Sequence, residues 1–216
     1  MRKLTPLFLR AVPTVPGGFG TIEQDATAEE SGMSISHEQA EPRVKLTYDD
    51  LVLFPDDGNR HEIINGRHVM NASPVPRHQR ISFALQTELY RYLGPAGHEV
   101  LGAPIDVQLS DVDVVVPDLV VVLSENDIIT DTRIVGAPDL IVEILSPSTR
   151  TNDENLKRRL YEQAGVPNYW IVDPDANSVT ALRMSDGLYE QASPVSDSIE
   201  LEVGGDAITV NLTKIW

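Results

Sequence analysis

Two apolar runs constrain this chain more than any other feature: "VVVPDLVVVL" at 114–123 and "LIVEIL" at 140–145. Their β-branched content and lack of polar alternation mark strands covered on both faces, as in the middle of an α/β sheet. Each run carries one carboxylate, Asp118 and Glu143. An unpaired charge in such a place costs several kcal/mol, so the group takes up a proton or faces a positive partner. Two of them on neighbouring strands repel unless something positive lies between. A divalent cation meets that need, and hard oxygen ligands select Mg²⁺ or Mn²⁺.

The surrounding text supplies the rest of an α/β domain. "LTYDDLVLF" predicts a short helix in which the Thr47 hydroxyl caps a free N–H, with Asp50 three residues on. "HEIINGRHVM" predicts a hairpin turning at Asn65-Gly66. "RHQRISFALQTELYRYLG" aligns Ile81, Leu85, Leu89 and Leu93 on one stripe, a helix ended by Gly94-Pro95. Ile105, Val107 and Leu109 alternate in a strand that leads by a turn into the run at 114–123. A second helix opens at "STRTNDENLKRRLYEQAGVP" on a capping box of Thr151 with Glu154 and closes on Gly165. "NYWIVD" and "SVTALRM" pair around a turn, and "ITVNLTKIW" ends the chain. Tyr169 and Trp170 flank an apolar strand and read as core. The expectation is a mixed sheet with two principal helices on 43–216. Residues 1–42, rich in Pro, Gly, Ser, Thr, Ala and Glu without an apolar period, read as a disordered leader. Met33 opens a stretch resembling an ordinary start, which makes the first 32 residues a candidate upstream extension.

Composition narrows the chemistry. The chain has 216 residues and no cysteine, which excludes disulfides, thiolate metal sites and cysteine nucleophiles and suits a reducing cytoplasm. No apolar stretch approaches the roughly 20 residues that span a bilayer. With 33 acidic residues against 17 lysines and arginines, the net charge is −16, which argues against a protein that coats nucleic acid. An enzyme touching a few phosphates with the help of bound cations is less affected. Ser146-Pro147-Ser148 lacks a nucleophile elbow, and the glycine pairs have no strand-to-helix context, so serine hydrolysis and a phosphate loop are not indicated.

Lys157 completes the constellation. Lys157, Leu160, Tyr161 and Ala164 follow i, i+3, i+4, i+7, so the lysine shares the inward face of its helix and can point at the strand ends. There it adds a donor that orients an attacking water or stabilises charge on phosphate. Each residue also has a plainer reading. Asp118 after Pro117 can be a turn residue, and Glu143 can form a structural salt bridge, with Lys157 itself as a partner. Arg77, His78 and Arg80 in "PRHQR" can contact phosphate or move a proton, yet such a cluster is more often a solvated helix start. Arg150 and Arg158 are phosphate contacts or plain surface charge.

The run "PDLIVEILSPSTRTNDENLKRRLYEQAGVPNYWIVDP" (138–174) closely resembles the Uma2 family, a domain of unknown function widespread in bacteria. "TYDDLVLFPDDGNRHEIINGRHV", "SPVPRHQR" and "NLTKIW" extend the resemblance to about 44–216. It implies the PD-(D/E)xK restriction-endonuclease-like fold: a mixed β-sheet core flanked by helices, with an added N-terminal hairpin and C-terminal antiparallel strands. It further implies a Mg²⁺- or Mn²⁺-dependent endonuclease acting on nucleic acid, DNA before RNA, without a membrane partner and with homodimers common. Asp118 corresponds to the aspartate of the "PD" element and Glu143 to the acidic residue of "(D/E)xK". Leu145 stands where the lysine usually does, and the resemblance moves that role to Lys157. Glu62 in "HEIING" corresponds to an additional acidic residue, and the carbonyl of Ile144 to a backbone metal ligand. The displaced lysine leaves open an inactive nucleic-acid- or protein-binding module on the same fold.

Overall fold

A computed structural model describes residues 44–147 and 150–216; the predicted leader and the start at Met33 lie outside them. The chain runs α1 (Tyr48–Leu51), β1 (Arg60–Ile64), β2 (Arg67–Asn71), α2 (Pro76–Leu93), β3 (Glu99–Gly102), β4 (Val107–Ser110), β5 (Asp113–Val115) and β6 (Leu119–Val122). It continues through β7 (Ile134–Val135), β8 (Leu140–Ile144), a π-helical segment (Asn152–Lys157), α3 (Arg158–Ala164), β9 (Asn168–Asp173) and β10 (Ser178–Ser185). β11 (Leu188–Gln191), β12 (Ser198–Val203) and β13 (Asp206–Asn211) complete it.

The strands form a central six-stranded sheet, ordered β11-β10-β9-β8-β6-β3, a five-stranded sheet β2-β1-β5-β4-β7, and the hairpin β12-β13. Among the described residues only β8–β9 and β4–β7 are parallel. Side chains alternate across a strand, and the central sheet divides two cores accordingly. Leu119, Val121, Val142 and Val172 pack on the α2 stripe and the β12-β13 hairpin. Val120, Val122, Ile141 and Ile171 face α3 and the five-stranded sheet. Asp118 and Glu143 have the parity of this second set, which aims them between the sheets.

Two local expectations are corrected. The run 114–123 is not one strand: β5 belongs to the five-stranded sheet and β6 to the central one. The break falls at Val116-Pro117-Asp118, where proline has no N–H to continue a ladder, so Asp118 sits at the crossing between sheets. Thr151 is already helical (φ −64°, ψ −36°) and makes no side-chain cap, because the helix begins upstream of it. At α1 the capping box expected of Thr47 and Asp50 is present, and the Asp50 carboxylate accepts both the Thr47 N–H (2.8 Å) and the Thr47 hydroxyl (3.1 Å).

The β1–β2 turn is as predicted, with Asn65 and Gly66 both at positive φ (53° and 73°). A Cβ on Gly66 would lie 2.5 Å from Lys45 Cβ. Gly66→Ala is therefore expected to cost at least about 1–2 kcal/mol, read as a lower urea midpoint. An unchanged midpoint would mean that the turn relaxes freely.

Candidate active site

Five elements converge on one cavity of about 230 Å³: β1, the segment from β2 into α2, the Pro117-Asp118 crossing, the end of β8, and the π-helical segment. It opens at the carboxyl end of β8, where the crossover leaves for α3 and β9, the usual place for a ligand in a sheet with a parallel crossover. Asp118, Glu143, Asp153, Lys157, His78 and Glu62 are all buried charged or polar residues of this region.

Lys157 stands at the centre of one half. Its ammonium donates to Glu62 Oε1 (2.9 Å) and Glu143 Oε1 (3.0 Å) and lies 3.7 Å from Asp153 Oδ1. Burial alone would lower its pKa, but Glu143, Glu62 and Asp153 outweigh that and hold it charged far above the ordinary lysine range. Glu62 is fully engaged: Oε1 also accepts the Val116 N–H (2.8 Å), and Oε2 accepts Asn71 Nδ2 (2.7 Å). Glu143 Oε1 accepts the Tyr161 hydroxyl at 2.7 Å. Burial pushes the Glu143 carboxyl up to about 8; the Lys157 charge opposes this, while Asp153, Asp118 and Glu62 add to it. One ammonium serves three carboxylates, so Glu143 keeps its proton at neutral pH.

Asp118 anchors the other half. Its Oδ2 accepts the Ile144 N–H (2.8 Å) and bonds His78 Nε2 (2.9 Å), and its Oδ1 accepts Arg60 Nη1 (2.6 Å). Burial pushes its pKa up, but His78 and then Arg60 overcome that and leave it below the usual carboxylate range. Asp118 thus stays ionised while Glu143 does not, because their partners differ.

Of the residues singled out in the sequence, Glu62, His78, Asp118, Glu143, Ile144 and Lys157 come together. His78 is not the solvated helix-start residue that its context suggested: it is buried, with Nδ1 making no hydrogen bond. The other arginines remain outside. Arg77 donates to the Pro174 carbonyl (2.5 Å) and Asn177 (3.0 Å). Arg150 pairs with Asp173 (2.9 Å) and Glu154 (3.3 Å), and Arg158 donates to Gln191 (3.1 Å). Arg80 is exposed. Sequence reasoning missed Arg60, Asn71 and Asp153. Two signals existed: Arg60 shares the strand face of Glu62, and Asp153, Lys157 and Tyr161 recur every four residues.

The donor set fits a hard divalent cation, since Asp118, Glu143 and Asp153 offer carboxylate oxygens in a confined cavity. Among the described residues no three acidic or histidine side chains already form a cage. Mg²⁺ needs none, for it is commonly held by one or two carboxylates with water and phosphate oxygens filling the rest.

Fold and cavity together define a class, an α/β domain of restriction-endonuclease-like fold with a mixed sheet core flanked by helices. Its structure resembles a crystal structure from Anabaena variabilis described as "a putative nuclease belonging to DUF820", with a TM-score of 0.64 and 20% identity over 79% of this chain and 97% of that one. It is 27% identical over 186 residues to an uncharacterised Synechocystis protein, covering 82% of this chain and 96% of the relative. Residues 47–211 match the Uma2 family, described as "Putative restriction endonuclease", and the chain belongs to that family. No described helix is long and apolar enough to cross a membrane.

Proposed function

We propose that the chain is a metal-dependent nuclease hydrolysing phosphodiester bonds of nucleic acid, DNA first, with its chemistry in this cavity. One observation carries the reading. Four buried carboxylates, Glu62, Asp118, Glu143 and Asp153, share two permanent cations, Lys157 and Arg60, and a proton on Glu143 relieves only part of the negative excess. A proton held to about pH 8 in a carboxylate cluster marks the place of a stronger positive charge.

Asp118, Glu143 and the Ile144 carbonyl would hold Mg²⁺ or Mn²⁺. When bound, the cation supplies a Lewis acid for the scissile phosphate and a lowered pKa for an attacking water. Lys157 acts as a fixed charge, not as a base, since its carboxylates keep it protonated. Its task is to stabilise negative charge developing on phosphate. Glu62 and Tyr161 brace the Lys157–Glu143 pair from two sides. His78 and the Ile144 N–H fix the orientation of Asp118. Arg77, Arg80, Arg150 and Arg158, the remaining candidates for nucleic-acid contact, can reach only a few phosphates in so acidic a chain.

Calorimetric titration with Mn²⁺ and Mg²⁺ tests this on wild type and Asp118→Asn. Saturable binding is expected in wild type and its loss in the variant. Because Glu143 must give up its proton to a cation, affinity should rise up to about tenfold per pH unit below about 8 and then level off. Binding that ignores pH between 6 and 8 would remove Glu143 from the ligand set. No binding at millimolar metal, even with an oligonucleotide present, would favour the non-cleaving module.

A further inference from the structure

The two oxygens of Asp118 are not equivalent. Oδ2 is held from two sides, by the Ile144 N–H at 2.8 Å and His78 Nε2 at 2.9 Å. Both donors belong to rigid elements, a sheet strand and the first turns of an 18-residue helix. Oδ1 has one partner, Arg60 Nη1 at 2.6 Å. Arg60 is also the most accessible charged member of the cluster: its side chain is 19% exposed, against 3% for Lys157 and 4–5% for Glu143 and Asp118. It stands at the first position of β1 and lines the cavity. A guanidinium on a flexible stem is a natural ligand for phosphate oxygens.

We infer that Arg60 is a cation-displaced phosphate clamp. It neutralises Asp118 Oδ1 in the metal-free protein, leaves it when a divalent cation binds, and then grips a phosphate of the nucleic acid entering the cavity. This rests on the proposed metal-dependent nuclease and adds a residue that couples loading of the metal to capture of the substrate. The physical basis is like-charge exclusion. A divalent cation and a guanidinium on one carboxylate oxygen repel in a poorly screened cavity, and only Arg60 has both the exposure and the stem length to withdraw. Lys157 cannot do the same, because it is locked between Glu62 and Glu143 in the interior.

The test is calorimetry of Arg60→Gln against wild type, first with Mn²⁺ alone, then with inorganic phosphate at saturating Mg²⁺. Removing the competing guanidinium should tighten Mn²⁺ binding by about tenfold, within the usual range of coupling between two ligands. The same variant should bind phosphate more weakly than wild type. Equal or weaker Mn²⁺ binding by Arg60→Gln, with wild type binding normally, would overturn the clamp and leave the nuclease reading standing. Absence of metal binding in both proteins would sink both. Should Arg60→Gln not fold, NMR of the wild-type Arg60 guanidinium decides: its resonances should move on Mg²⁺ addition and again with phosphate. Resonances unmoved at saturating Mg²⁺ would overturn the proposal.

Discussion

Glu143→Gln is expected to abolish cleavage, by on the order of 10³-fold or more, and to remove metal binding while leaving the fold intact. Glutamine has the shape of a protonated glutamate, and Glu143 carries its proton up to about pH 8. The metal-free fold at neutral pH should therefore barely register the change, whereas a cation loses a charged ligand. The pH dependence has a definite sign. The folded protein binds this proton more tightly than the unfolded chain does, so the stabilising contribution is fully present below the ordinary glutamate pKa of 4.5 and is lost as pH rises through about 8. Wild type should thus weaken across that window by an amount on the order of a few kcal/mol. Glu143→Gln should lack the slope and become the more stable protein above pH 8 without metal. Urea unfolding from pH 5 to 9 reads this, beside a nuclease assay. Cleavage at the wild-type rate would end the role assigned to Glu143.

Lys157→Met should be the most destabilising single change in the cavity, about 3–5 kcal/mol, a fall in Tm of roughly 6–20 °C for a domain this size. Methionine fills much of the volume, so the loss comes from charge. Glu62, Glu143 and Asp153 would share the interior with no ammonium among them. Protonation can relieve that repulsion, so the penalty should be smaller at pH 5 than at pH 8. Thermal melts at the two pH values check both size and sign. A penalty under about 1 kcal/mol at pH 8 would mean that the carboxylates do not depend on Lys157. Added Mg²⁺ should restore part of the stability, because it binds the folded state alone.

Much of this site was legible before any coordinates. Glu143 stood out because every neighbour from Leu140 to Leu145 is apolar. Lys157 followed from helical spacing with Leu160 and Tyr161, and the Asn65-Gly66 turn from its dipeptide. Periodicity could not show that Val114–Leu123 serves two sheets, since a proline inside an apolar run reads equally as an irregular strand or a crossing. Nor could it separate His78 from Arg77 and Arg80. The three differ only in the side of α2 they occupy relative to Asp118, 40 residues away.

The sequence by itself therefore determined the two principal helices, the Asn65-Gly66 hairpin, the buried carboxylates and the lysine, because these depend on local pattern and on the cost of burying charge. Tertiary structure alone decided the pairing: Arg60 and His78 on Asp118, Glu62 and Asp153 beside Lys157, and Tyr161 on Glu143. The ionisation of each acid is set by which cations the fold brings within a few ångströms, a property of distances that no single segment carries. For that reason Asp118 stays charged and Glu143 keeps its proton, although both sit in runs of the same apolar character.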